Sequence, residues 1–311
     1  MVVVMEVNAT EQQVEDVIGR MLDMGFNPSR TTGESQTIIA GVGHGAVDLA
    51  SFLAMPGVRE AHRISSPYKL ASRLWKPERT QVQLGGVTIG AGLVLIVRAS
   101  AAQSPAAAAA GAHGIAVTAA KVRFGYEAVP PEKLRDTEAA ASAHGLFTVV
   151  EIMDPARVGA LSENAAGFLV AAPQMENLTL LRALGRQRKP VILERGLAST
   201  IDDWLMAADA ILSGGNGSVV LCERGIKTFD PAASTMDISA IPSIHKLSHL
   251  PVIADPLRGT GKRDRVLDMG RAAIAAGAAG LVTDAGPDLA ENARQWRTLA
   301  EALRPATGML A

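Results

Sequence analysis

Cysteine is almost missing from this chain: Cys222 is the single one among 311 residues. That excludes an intrachain disulfide and any cluster of thiolate metal ligands, and it fits a reducing compartment. Net charge is almost missing as well, at −1, so bulk electrostatics point neither to nucleic acid nor to an acidic membrane surface. No stretch reaches the roughly 18 uncharged apolar residues of a membrane helix. The opening residues, MVVVMEVNATEQQ, carry no basic segment and too short an apolar run for a signal peptide. Together these absences predict a cytoplasmic globular protein with neither nucleic-acid nor membrane partners.

What is present suits an α/β core. Hydrophobic residues make up 48% of the chain and 30 residues are glycine, and the length allows one barrel of about 250 residues plus a small extra domain. Residues 1–66 read as their own unit. An apolar strand at 2–7 leads to a helix opened by Thr10, with Gln13 three residues on as a capping box. Extended segments at 26–31 and 37–42, a helix at 46–55 and a strand at 58–64 complete a βαββαβ order, which is ferredoxin-like. Residues 67–90 form a linker and a hairpin turning at Gly85-Gly86.

From residue 91 to 311, apolar strand-like runs alternate with helical patterns. The strands fall at 93–97, 114–118, 147–150, 167–170, 190–193, 218–221, 251–254 and 280–283. Eight βα units predict a closed (β/α)8 TIM barrel in preference to a doubly wound sheet. The alanine-rich stretch at 101–112 reads as a small-residue helix packed on that barrel. In such a barrel the residues at the C-terminal ends of the strands carry the chemistry. The run 218–221 passes straight into Cys222-Glu223-Arg224-Gly225, which sets Glu223 and Arg224 at the barrel mouth, with Gly225 allowing a sharp turn.

Four runs in order carry a resemblance: Pro67-Tyr68-Lys69-Leu70-x-Ser72-Arg73, the stretch from Leu221 to Phe229, Met236-Asp237-Ile238-Ser239-Ala240-Ile241-Pro242, and His249-Leu250-Pro251-Val252-Ile253-Ala254-Asp255-Pro256. The chain resembles the type I 3-deoxy-D-arabino-heptulosonate 7-phosphate (DAHP) synthases of the short bacterial kind, which have an N-terminal ferredoxin-like domain. That resemblance implies condensation of phosphoenolpyruvate with erythrose 4-phosphate at a divalent metal, on the way to aromatic amino acids. It also implies a homodimer or homotetramer and a small domain that senses an aromatic amino acid.

Position by position, the resemblance places the family's cysteine ligand at Ala101, its histidine ligand at Arg258 and its glutamate ligand at Asp284, while its last aspartate has no counterpart nearer than Asp288. The metal is therefore expected to be lost, with no other cofactor implied. An arginine expected after the second strand is missing at Thr118-Ala119-Ala120, and Lys121 and Arg123 are what remains of the motif that follows. The segment Ala171-Ala172-Pro173-Gln174 lacks another arginine, and Glu194 stands where a lysine is expected.

The anion-binding candidates are Lys121, Arg123, Arg195, Glu223, Arg224, Arg258, Lys262 and Arg263. Arg224 either meets a ligand or pairs with Glu223 or Glu194. Arg258 either fills the vacated metal position by pairing with Asp284 or Asp255, or binds an anion. Lys262-Arg263-Asp264 is either a helix-start ion pair or half of a phosphate site. Cys222 reads as an inert buried thiol. These features predict a homologue that has lost the metal-dependent condensation and binds an anionic metabolite or regulates a pathway enzyme. The alternatives are a metal-independent aldolase, lyase or synthase acting on a related phosphorylated or carboxylated substrate, and residual DAHP synthase activity.

Overall fold

A computed structural model describes residues 1–32, 37–43, 48–63, 67–123, 125–229 and 234–307. They fall into two compact units, Met1–Glu78 and Arg79–Ala311, a division that lies inside the 67–90 stretch. Among the described residues no helix is long and apolar enough to cross a membrane.

The first unit runs β1 (Val2–Met5), α1 (Glu11–Asp23), β2 (Asn27–Thr32), β3 (Thr37–Val42), α2 (Leu49–Leu53), β4 (Val58–His62). Its antiparallel sheet has the order β2-β3-β1-β4, the ferredoxin-like arrangement. Thr10 caps α1 as its sequence requires. The Gln13 amide donates to the Thr10 hydroxyl at 3.3 Å, and the Thr10 amide donates back to the Gln13 side chain at 2.8 Å. Val14, Val17 and Met21 on one face of α1 then meet Val3, Met5, Ile39 and Phe52 in a buried cluster. Helix α2 is shorter than the 46–55 expected, because Asp48 caps it by accepting from the Ser51 amide. Residues 46, 47 and 64 lie outside the described residues.

The second unit opens with a hairpin, β5 (Val82–Leu84) and β6 (Val87–Ile89). Gly85 and Gly86 both have positive φ, +55° and +89°, which a two-residue turn of this hand demands. Next come β7 (Val94–Arg98), α3 (Ser104–Ala109), β8 (Gly114–Val117), a small hairpin β9 (Ala120–Val122) and β10 (Gly125–Glu127), then α4 (Pro131–Ser142). The middle of the unit is β11 (Phe147–Glu151), α5 (Val158–Ser162), β12 (Gly167–Val170), α6 (Leu178–Gly185), β13 (Val191–Glu194) and α7 (Ile201–Leu212). The rest is β14 (Val219–Glu223), the short pair β15 (Ile226–Lys227) and β16 (Ser234–Thr235), α8 (Ala240–Leu247), β17 (Val252–Ala254), α9 (Pro256–Thr260), α10 (Val266–Ala275), β18 (Gly280–Asp284) and α11 (Leu289–Thr307). The alanine-rich stretch yields a 3-10 turn over Ala101–Gln103 and then the short α3, which stops before Gly111 at φ +77°.

Eight of these strands close into a parallel barrel in the cyclic order β7-β8-β11-β12-β13-β14-β17-β18. Alternate residues fill it: Ile96, Ala116, Val149, Leu169, Ile192, Val220, Cys222, Ile253 and Val282 form one buried cluster. The β5–β6 hairpin contributes Val82, Leu84 and Ile89 to the same cluster and so packs into the barrel core. Each such large side chain contributes about 1.5–3 kcal/mol when taken fully out of water.

Most strands reach past the apolar runs that announce them. Five end on a charged residue, namely Arg98, Glu151, Glu194, Glu223 and Asp284, and Asp255 follows directly on β17. Backbone pairing is indifferent to side-chain polarity, and Asp284 stands in register with Arg98.

Candidate active site at the barrel mouth

Those strand ends assemble one charged layer at the C-terminal mouth. Arg98 is its centre. In the cyclic order β7 and β13 stand four strands apart in a ring of eight, so Arg98 reaches across the barrel axis to Glu194. Its Nη2 donates to Glu194 Oε1 at 3.3 Å and to Asp255 Oδ2, while Nη1 donates to Asp284 Oδ1 at 3.3 Å. The residue is 8% exposed and Asp255 is fully buried. Burial works against the guanidinium charge, but Asp255, Glu194 and Asp284 together outweigh it and push its pKa up. Arg98 therefore stays charged at any working pH.

The carboxylates are held from their other sides too. Asp255 Oδ1 caps α9 by accepting from the Arg258 amide at 3.0 Å, and Glu194 Oε2 accepts from the Ala172 amide at 3.1 Å. Sequence reasoning gave the counter-charge of Asp255 or Asp284 to Arg258. In the structure Arg98 supplies it, because strand β7 delivers a guanidinium onto the axis while Arg258 sits one turn up α9, exposed.

A second network lies beside the first. Arg195 Nη1 donates to Glu223 Oε2 at 3.2 Å and to Asp237 Oδ2 at 2.9 Å, and its Nε donates to the Ser199 carbonyl. Glu223 Oε1 accepts from the Gly225 amide at 2.7 Å. Burial pushes the Glu223 carboxyl above its ordinary range, with the Gly225 amide and Arg195 partly offsetting it. Asp237 is held low despite its partial burial, by the Ser239 hydroxyl and by Arg195. Gly225, at φ +87°, makes the turn; a Cβ there would stand 2.8 Å from the Gly259 Cα.

Beside the first network opens a cleft of about 60 Å³, room for a few waters or a small anionic group. Arg98, Glu151, Glu194, Arg224 and Arg258 line it, with Tyr126 and Gln174 at its edge. Arg224 approaches Glu194 at 3.7 Å through Nε, a buried nitrogen with no hydrogen-bond partner. The Arg258 guanidinium makes no ion pair among the described residues. Glu151 accepts from the Ala119 amide at 2.9 Å. Burial pushes its carboxyl up; the Ala119 amide opposes that, Glu194 reinforces it, and Arg98 and Arg258 oppose it.

Of the sequence candidates, Arg224 and Arg258 share this cleft, whereas Arg195 and Glu223 are bound to each other outside its lining. Arg263 lines an adjoining groove with Lys133, Arg258 and Asp284, and Lys262 is exposed just before it. Arg123 is exposed at the turn of the β9–β10 hairpin; the side chain of Lys121 lies outside the described residues. Arg98 was not among the candidates. Its signal was the one that identified Glu223, a charge immediately after an apolar run.

The positions that the resemblance assigns to metal ligands are Ala101, a methyl group in a 3-10 turn, Arg258, and Asp284, which Arg98 already holds. Asp288 lines a separate crevice of about 20 Å³ with Asp284, Arg263 and Asn292. Among the described residues no group of three or more His, Cys, Asp and Glu side chains is placed to hold a metal ion.

Fold and site together define a TIM-barrel protein with a charged cleft at the C-terminal ends of its strands and a ferredoxin-like domain before it. The chain belongs to the DAHP synthetase I family, whose pattern matches residues 87–296, and residues 1–66 match the DAHP synthase ferredoxin-like domain. It is 32% identical over 302 residues to the phospho-2-dehydro-3-deoxyheptonate aldolase of Thermotoga maritima, covering 93% of this chain and 89% of that protein. Over 166 residues it is 28% identical to the 2-dehydro-3-deoxyphosphooctonate aldolase of Magnetococcus marinus, covering 50% of this chain and 57% of that protein. A crystal structure of the Thermotoga maritima phospho-2-dehydro-3-deoxyheptonate aldolase (DAHP synthase) superposes with a TM-score of 0.70 at 29% identity, covering 99% and 97% of the two chains. A truncated form of the 3-deoxy-D-arabino-heptulosonate 7-phosphate synthase from that organism gives 0.69 at 32% identity, covering 76% of this chain and 97% of that one.

Proposed function

We propose that this protein takes a small phosphorylated or carboxylated compound into the barrel mouth and acts on it by aldol or lyase chemistry, with guanidinium groups rather than a divalent ion supplying the positive charge. The observation that carries this reading is Arg224. Its guanidinium lines the cleft beside Arg258, and among the described residues its one ion pair, to Glu194 through Nε at 3.7 Å, leaves its terminal nitrogens without a carboxylate. Glu151, also lining the cleft, is the carboxyl suited to carry a proton there, since burial favours its protonated form.

A divalent ion about 4 Å from the Arg98 guanidinium would meet a repulsion of about 8 kcal/mol at an effective dielectric of about 20, which opposes the attraction of Asp255, Glu194 and Asp284. The names of the relatives, both aldolases, favour an enzyme over the wholly non-catalytic protein expected from the sequence. One observation favours the non-catalytic reading: Glu194 brings a carboxylate into the cleft where the resemblance expects a lysine.

The test is calorimetric titration of the full chain with phosphoenolpyruvate and with inorganic phosphate, followed by product assays with aldose phosphates in the presence of a chelator. Binding that Arg224→Ala weakens by about tenfold or more, roughly the worth of one charge-assisted hydrogen bond, supports the reading. Equal titration curves for wild type and variant would remove Arg224 from the site. Turnover in chelator then separates an enzyme from a binding protein.

A further inference from the structure

We propose that the Arg98 guanidinium is a resident internal cation of the barrel mouth and that it keeps divalent metal ions off Asp255, Asp284 and Glu194. The inference rests on the barrel mouth being the ligand site proposed above, and it adds why that site works without a metal.

Position, engagement and donor count all point the same way. Arg98 ends β7 in register with Asp284, so the backbone that closes the barrel also delivers the guanidinium. Both of its terminal nitrogens are committed to carboxylates. On the carboxylate side, Asp255 and Glu194 each use one oxygen for Arg98 and the other for a backbone amide. A metal ion needs several oxygens converging on one point. Here the point on which Asp255, Glu194 and Asp284 converge is taken by the Arg98 guanidinium. Entry of an ion would require Arg98 to leave a site where it is 8% exposed and to shed three ion pairs at once.

Manganese provides the probe, since its aqueous ion gives a strong paramagnetic resonance signal that binding suppresses. The full chain would be titrated with manganese chloride while free ion is followed, and melted with manganese or with chelator. Phosphoenolpyruvate affinity would be measured in both conditions. Wild type is expected to leave manganese free up to about 1 mM, to melt at one temperature throughout, and to change its anion affinity by less than about twofold.

Arg98→Ala is expected to take up about one manganese per chain and to melt higher when loaded, because the ion restores the missing counter-charge. Arg98→Lys keeps the charge and is expected to behave as wild type. If Arg98→Ala does not fold, the manganese titrations of wild type and Arg98→Lys decide between exclusion and binding. The proposal is overturned by one manganese bound to wild type with a Kd below about 100 μM, which would stabilise it measurably at 1 mM. It is equally overturned by a folded Arg98→Ala protein that leaves manganese free, since exclusion would then owe nothing to Arg98. Failure of metal-free wild type to bind any phosphorylated or carboxylated compound counts against the anion-site reading alone and leaves the manganese result standing.

Discussion

Replacing Arg98 by methionine keeps most of the side-chain volume and removes the charge. The consequence follows from what surrounds it. Glu194 and Asp255 are buried, Asp284 is partly so, and all three have the guanidinium as an ion-pair partner. Breaking a buried pair from one side costs about 3–5 kcal/mol, because a charge is left without compensation. Sharing one cation among three carboxylates does not multiply that figure, since backbone amides still serve Asp255 and Glu194. We expect a loss of about 3–5 kcal/mol in Arg98→Met, and recovery of about 1 kcal/mol or more when Glu194→Gln is added, because one uncompensated charge then disappears.

Urea unfolding followed by tryptophan fluorescence reads the right unit. Trp204 and Trp296, both buried, lie in Arg79–Ala311, and only Trp75 lies in the other unit. With a slope of about 3 kcal/mol per molar urea the midpoint should fall by about 1–2 M. Arg271→Met, which breaks an exposed pair with Asp268, is the control and should cost less than about 1 kcal/mol. A loss of under about 1 kcal/mol in Arg98→Met, matching that control, would show that the three carboxylates do not need the guanidinium.

Two further outcomes follow from the same layer. Glu151 has a folded-state pKa above its ordinary 4.5, so its contribution to stability is fully present below that value and is lost as pH rises through the raised one. Glu151→Gln, whose amide oxygen can still accept from Ala119, should remove that loss; unfolding curves of the two proteins should diverge in the variant's favour as pH rises from 4.5, and parallel curves would refute the burial argument. Gly225→Ala places a Cβ 2.8 Å from the Gly259 Cα at a φ of +87°. It should cost about 2 kcal/mol or more in the urea midpoint and weaken anion binding at the adjacent Arg224, while an unchanged midpoint would mean that the turn can relax.

The fold was legible because its signals are local and repeated. Each barrel strand is a run of buried β-formers, and Thr10 with Gln13 marks a helix start that the structure reproduces bond for bond. Gly85-Gly86 marks a turn that only residues tolerating positive φ can make cheaply. The site was legible in part. Arg224 could be placed at the mouth because it follows an apolar strand, and so could Glu223. What the chain could not reveal is which charges meet. Arg98 and Glu194 are 96 positions apart, and only barrel closure, which sets β7 opposite β13, brings them together. For the same reason the sequence assigned the counter-charge to Arg258, which lies three residues from Asp255, when the partner stands on the other side of the strand order.

That pairing changes how the departures from the family pattern are understood. Taken singly, a carboxylate at Glu194 where a lysine is expected is a damaged anion clamp, and Arg98 is a buried charge at the end of β7. The two side chains lie 3.3 Å apart. A cation expected at the end of β13 is found instead at the end of β7, and the carboxylate at the vacated end receives it. Arg98 gives the buried Glu194 and Asp255 and the partly buried Asp284 the counter-charge that a buried charged layer requires. If Arg98 excludes a divalent ion as proposed, a thiolate at Ala101 or an imidazole at Arg258 would have no ion to meet. Arg224 and Arg258 line the cleft beside Arg98, and the proposed anion would meet them there.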